Sequence, residues 1–131
     1  MQTDPFDSGP EQGQSVDSGS KQRIIQEFVP GKQVTLAHII ANPDPGLYRK
    51  LGAVGEHSGA LGIMTITPSE GAIIGADAAV KAAEVEIIFV DRFNGSLIIG
   101  GEVAAVETAV RAVMHMLETK LHFAPTIVTR S

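Results

Sequence analysis

The chain has 131 residues, 44% of them hydrophobic, enough for one domain with a sizeable core. It contains no Cys and no Trp, which excludes disulfides and thiolate metal sites and agrees with a reducing, cytoplasmic setting. The formal net charge is -5, but Asp4, Asp7, Glu11 and Asp17 supply four of those charges ahead of the first Lys, so the remainder is close to neutral. Scattered Lys and Arg on a near-neutral body argue against a nucleic-acid surface and let copies pack with little self-repulsion.

Residues 1–20 are rich in Gly, Ser, Asp and Gln, and only Met1, Phe6 and Val16 among them could bury much apolar surface. Such a segment is expected to be a disordered acidic tail, ahead of one domain over residues 21–131. It lacks the basic start and apolar run of a secretory signal, and no later apolar stretch reaches membrane-spanning length. Residues 24–29, Ile24-Ile25-Gln26-Glu27-Phe28-Val29, predict a short strand ended by a Pro30-Gly31 turn.

A β-rich run follows over residues 33–41. Asp44 then caps a short helix with Pro45 at its first position, closed by Gly52. Residues 61–66 predict a third strand, and Thr67-Pro68-Ser69-Glu70 predicts a capping box opening a helix whose buried face is Ile73, Ala76, Val80 and Ala83. Asn94-Gly95 between two apolar runs predicts a tight hairpin with both central residues at positive φ. Val103, Val106, Val110, Val113, Met114, Leu117 and Leu121 trace the face of a last helix, with Glu107 and Arg111 spaced for an ion pair. Residues 126–129, behind Pro125, predict an edge strand. This order belongs to an α+β fold, a ferredoxin-like arrangement with helices on one face of a mostly antiparallel sheet.

No catalytic or metal constellation emerges. His38, His57, His115 and His122 have no metal-ligand spacing, and a packed or solvated ring explains each more simply. Ser58 beside His57 and Ser69 beside Glu70 lack a nucleophile elbow, and Gly55, Gly59 and Gly62 lack phosphate-loop spacing. Lys81 alone is an ordinary solvated lysine. The Asp91-Arg92-Phe93 tip suits a solvated turn or a pore rim equally. No cofactor is implied, and an enzyme is not the expected function.

From Leu61-Gly62-Ile63-Met64 through Ala82-Ala83-Glu84-Val85-Glu86-Ile87, and on through Gly101-Glu102-Val103-Ala104-Ala105-Val106, the sequence resembles the bacterial microcompartment (BMC) shell domain. The run Leu36-Ala37-His38-Ile39-Ile40-Ala41-Asn42-Pro43 resembles the family's closing strand, but it comes first, as in a circular permutation. The opening Arg23-Ile24-Ile25-Gln26-Glu27-Phe28-Val29-Pro30-Gly31-Lys32 resembles the permuted subgroup called EutS and PduU, of ethanolamine and propanediol compartments.

That resemblance implies a structural shell subunit in the cytoplasm, a homohexamer tiling with other shell proteins around aldehyde-producing enzymes. Encapsulated enzymes are further candidate partners; nucleic acid and membrane are not. Lys81 matches the family's edge lysine. Phe93, Asn94, Gly95 and Ser96 match its pore loop. Ile24, Ile25, Gln26, Glu27, Phe28 and Val29 are implied to join their symmetry mates in a small barrel capping the pore. A different class, a ferredoxin-like regulatory module binding a small metabolite, is the alternative that fold alone leaves open.

Overall fold

The computed structural model describes residues 31–52 and 59–131. The acidic tail, the proposed cap strand of residues 24–29, and Gly55, His57 and Ser58 lie outside the described residues. The elements in chain order are β1 (Gln33–Ile40), α1 (Pro45–Lys50), β2 (Ala60–Thr67), α2 (Gly71–Ala82), β3 (Glu86–Asp91), β4 (Ser96–Gly101), α3 (Val103–Leu121) and β5 (Thr129–Arg130).

The strands form one five-stranded sheet in the order β3-β4-β2-β1-β5. All pairings are antiparallel except β1 with β5, where His38 faces Thr129. In the centre, Gly62 of β2 lies between Ile39 of β1 and Ile99 of β4. Val34, Ala37 and Ile39 of β1, Met64 and Ile66 of β2, and Leu97 and Ile99 of β4 are buried in one cluster with both long helices. Helices on one face of a mostly antiparallel sheet are therefore observed, as the element order predicts.

α3 buries Val106, Ala109, Val110, Val113, Met114 and Leu117, matching the periodicity of the large residues. Glu107 meets Arg111 at 3.3 Å and also Arg130 at 3.6 Å. The α1 start is equally regular: the Asp44 carboxylate accepts from Gly46 N at 2.8 Å, with Pro45 at the first turn. Tyr48 anchors this helix to β2, its hydroxyl donating to Gly59 O at 2.6 Å and Ala60 O at 3.2 Å. Burial first, then the Glu86 carboxylate, raises the Tyr48 phenol above its ordinary value, so it stays a donor.

Four local expectations are corrected. The capping box does not form: α2 starts at Gly71, and Glu70 at its cap makes no side-chain cap bond. Gly71 N instead donates to Pro68 O and Ala72 N to Ser69 O, a tight turn that packs against the Gly95 backbone. The buried face of α2 is only partly the expected one: Ala76 is buried and Ala83 packs against the core, but Ile73 and Val80 do not face inward. Ala72, Gly75, Ala76 and Ala79 face inward, whereas Ile73 is 49% exposed and Val80 43%. Small residues admit the helix closely onto the sheet and α3, and this turns the large aliphatics outward.

The hairpin is wider than expected, with four residues between paired Asp91 and Ser96, and of Asn94 and Gly95 only Gly95 has positive φ. The last strand is shorter and later, Thr129–Arg130 in place of residues 126–129. Pro125 has no N–H for a ladder, and regular pairing resumes only where Thr129 reaches His38.

Gly62 is a point of close approach between sheet and α3. A Cβ there would lie 2.9 Å from Val106 Cγ1 and from Val110 Cγ2, both on stiff β-branched side chains. Gly62→Val is expected to cost about 1–3 kcal/mol through overpacking. Urea unfolding measures this, and an unchanged midpoint would refute the close-packing account.

Candidate functional site

The β3–β4 hairpin carries the most strongly built surface feature. Asp91 closes β3, and its carboxylate accepts from Phe93 N at 2.8 Å, Asn94 N at 3.1 Å and Asn94 Nδ2 at 2.8 Å. Gly95, at φ +79, donates its N–H to Asp91 O at 2.8 Å. A Cβ at Gly95 would run into Ile66 O, so both backbone conformation and contact require glycine there. The loop is thus fixed by its own bonds, and it projects Phe93 with 78% exposure. The Arg92 guanidinium lies 4.9 Å from the Phe93 ring centroid, a cation–π contact that braces both side chains.

Beside this tip lies an open groove of about 620 Å³ whose lining includes Ile73 of α2 and Phe89 and Val90 of β3. β3 is an edge strand, and Ile87, Phe89 and Val90 are all substantially exposed. An edge strand with this much apolar surface is a ready contact for another chain. The sequence reading located the hairpin tip but missed the groove. Its signal was the unbroken apolar run Ile87-Ile88-Phe89-Val90, where a half-buried strand alternates.

Lys81 sits in the last turn of α2, where a cation is favoured. Its side chain is 73% exposed and pairs with Asp77 at 2.9 Å, one turn earlier. The structure therefore brings Phe93, Asn94, Gly95 and Ser96 together at one tip and places Lys81 on a separate helix end.

Of the described histidines, His38 makes side-chain hydrogen bonds within the fold. His38 Nδ1 is 2.6 Å from Thr129 Oγ1 and Nε2 is 2.8 Å from Ser131 Oγ. Thr129 Oγ1 also donates to Ala37 O at 3.4 Å. The ring thereby clamps residues 129–131 to β1. His122 ends α3 in the left-handed region at φ 62. Among the described residues, no three His, Asp or Glu side chains gather as metal ligands. None of the described helices is long and apolar enough to cross a membrane.

Residues 60–130 match the family profile described as the BMC domain. The chain is 53% identical to the bacterial microcompartment shell protein EutS of Salmonella typhimurium over 112 residues, covering 86% of this chain and 99% of that protein. The chain belongs to the bacterial microcompartment shell-protein family. Among solved structures it resembles the "CutR flat hexamer, form 1", with TM-score 0.72 and 46% identity over 83% of this chain and 99% of that one. It also resembles the "CutR Screw, form 1", with TM-score 0.71 and 43% identity over 78% of this chain and all of that one. Within the BMC domain, the matched span contains the hairpin, the groove and Lys81.

The three bonds to Asp91 hold its carboxyl below the ordinary value of 3.8, Phe93 N–H contributing most and then Asn94. A depressed carboxyl contributes stability that is present above its ordinary value and lost as pH falls through the lower folded value. Asp91→Ala should therefore destabilise the hairpin at neutral pH, with the difference from wild type shrinking below about pH 4. Denaturation at several pH values checks this, together with hydrogen exchange at Phe93 and Asn94. A difference that persisted undiminished at low pH would assign the effect to something other than the carboxylate.

Proposed function

We propose that the chain is a structural, non-catalytic shell subunit that forms cyclic hexamers and tiles with other shell proteins in a bacterial microcompartment in the cytoplasm. The observation that carries this is the likeness, at 46% identity, to CutR in a flat hexamer. The compartment is of the ethanolamine, propanediol or a similar type, enclosing aldehyde-producing enzymes. Half-identity to EutS over almost the whole of that protein supports the assignment, and no feature of the described surface favours a metabolite-binding module.

Circular permutation is part of the proposal. The BMC profile starts at residue 60, yet β1 lies before it in sequence and pairs along the whole of β2 within the same sheet. In the hexamer, Phe93, Asn94, Gly95 and Ser96 rim the central pore. The exposed, rigid hairpin tip has the form this role needs. Ile24, Ile25, Gln26, Glu27, Phe28 and Val29 join their symmetry mates in a barrel above it, alternate residues facing in and out. Lys81 contributes to the lateral edge, where its exposure allows contact with a neighbouring hexamer.

Sedimentation equilibrium at micromolar concentration should give the mass of a hexamer, and a stable monomer would overturn the shell proposal. Lys81→Ala should leave the hexamer intact and weaken sheet formation in electron micrographs; unchanged sheets would remove Lys81 from the edge.

The barrel has its own test. Amides of Ile25, Gln26, Glu27, Phe28 and Val29 should exchange far more slowly in intact hexamers than those of residues 8–18. Equal rates would exclude the barrel.

A further inference from the structure

The hairpin tip contains a chemically reactive pair, Asn94 and Gly95. The chain has two asparagines, Asn42 and Asn94. Asn42 precedes Pro43, which has no N–H, whereas Asn94 is exposed and precedes a glycine. No Cβ shields a glycine nitrogen, so in an Asn-Gly pair that nitrogen can reach the preceding side-chain amide and displace ammonia. Gly95 N, giving its proton to solvent, bonds to Asn94 Cγ; the Cγ–Nδ2 bond breaks, and the amide nitrogen takes a proton from solvent and leaves as ammonia. Water then opens the resulting succinimide at either carbonyl, leaving aspartate or isoaspartate at position 94.

Both reacting groups are held by Asp91. The Gly95 N–H donates to Asp91 O at 2.8 Å, so its nitrogen is engaged in the bond that closes the loop. Asn94 Nδ2 donates to Asp91 Oδ2 at 2.8 Å, which draws the side-chain amide onto the carboxylate. Asp91 Oδ1 accepts from Phe93 N at 2.8 Å and Asn94 N at 3.1 Å, fixing the backbone on which that amide swings. A negative charge beside the pair also opposes removal of the Gly95 proton. On its other side Gly95 O accepts from Ile66 N at 2.8 Å, and even a Cβ at Gly95 would strike Ile66 O, so the main chain has no slack toward β2.

We propose that Asn94 is a site of spontaneous deamidation and that Asp91 sets its rate, holding the Asn94-Gly95 pair away from ring closure. The product differs from the starting loop in two ways. A carboxylate at position 94 lacks the Nδ2 donor and stands against Asp91, so like charges meet where a hydrogen bond was. Isoaspartate also adds a methylene to the main chain just ahead of Gly95, which is tied to Ile66 and has no room to move. Either product loosens the tip that projects Phe93. The chemistry needs only the tip; that its charge accumulates at a pore rim rests on the hexamer reading above.

The full chain, aged in warm, mildly alkaline buffer made with heavy-oxygen water, tests this by peptide mass mapping, with a synthetic peptide spanning residues 87–98 as the unrestrained reference. Label should enter at Asn94 and not at Asn42. It should enter the folded chain more slowly than the peptide by at least about tenfold, the effect on a rate of one hydrogen bond to a charged group. Asp91→Ala should bring the folded chain close to the peptide rate. Asp91→Asn, which keeps a neutral acceptor oxygen for the Phe93 and Asn94 N–H groups, should fall between the two, and circular dichroism of each variant verifies that the fold is kept. A wild-type rate equal to the peptide's, or an Asp91→Ala rate equal to wild type's, would overturn the role of Asp91; an aged Asp91→Ala chain without label at Asn94 would overturn the site. The mass readout is the same in monomer and hexamer, so its failure leaves the shell reading in place, and a monomeric wild-type chain leaves this site in place.

Discussion

The close approach of α2 to the sheet sets the form of the whole molecule. It depends on one stripe of small residues, Ala72, Gly75, Ala76 and Ala79, facing Ile66, Leu97 and Val113 across the core. A larger side chain anywhere in that stripe would have to displace close-packed neighbours. The same economy recurs at Gly62, which admits Val106 and Val110 of α3. With both helices seated tightly on one face, the large aliphatics of α2 have no interior left to fill. Ile73, Ile74 and Val80 consequently remain at the surface, where an isolated subunit leaves them in water.

This explains which parts of the fold were legible in the sequence. α3 was read correctly because its buried positions are large, so hydrophobic periodicity and burial coincide. In α2 they separate: the periodicity of Ile73 and Val80 marks the outer surface, and the inner surface is made of alanines and a glycine, which carry little hydrophobic signal. Asp44-Pro45 predicted its helix start because both cap and proline act locally. Thr67-Pro68-Ser69-Glu70 carried the same local signal, but there Gly71 N and Ala72 N donate to Pro68 O and Ser69 O in a tight turn, with no side-chain cap. Asn94-Gly95 located the hairpin, whereas its width was decided by the Asp91 carboxylate binding across the loop.

The candidate site shows a similar division. The loop tip and Lys81 were singled out through the family resemblance, and the span matched by the BMC profile includes both. The groove was not, since its recognition requires the order of strands. Only when β3 is known to be an edge does the run Ile87-Ile88-Phe89-Val90 change from a doubly buried strand into exposed contact surface.

The two sheet edges are managed in different ways, and the difference favours side-chain docking over strand addition. At the β5 edge, pairing is limited to a two-residue strand and clamped by His38, leaving little backbone for another strand to join. At the β3 edge, a register irregularity between Ile87 and Phe89 interrupts the regular ladder, and Asp91 ends the strand with its side chain turned into the loop. A bulge twists an edge and disfavours continued pairing with another strand. Contact at β3 is therefore better made through Phe89, Val90 and Ile73 than through main-chain bonds. Strand addition would build an open-ended sheet, whereas side-chain contact can fix a rotation between subunits and so permit closure.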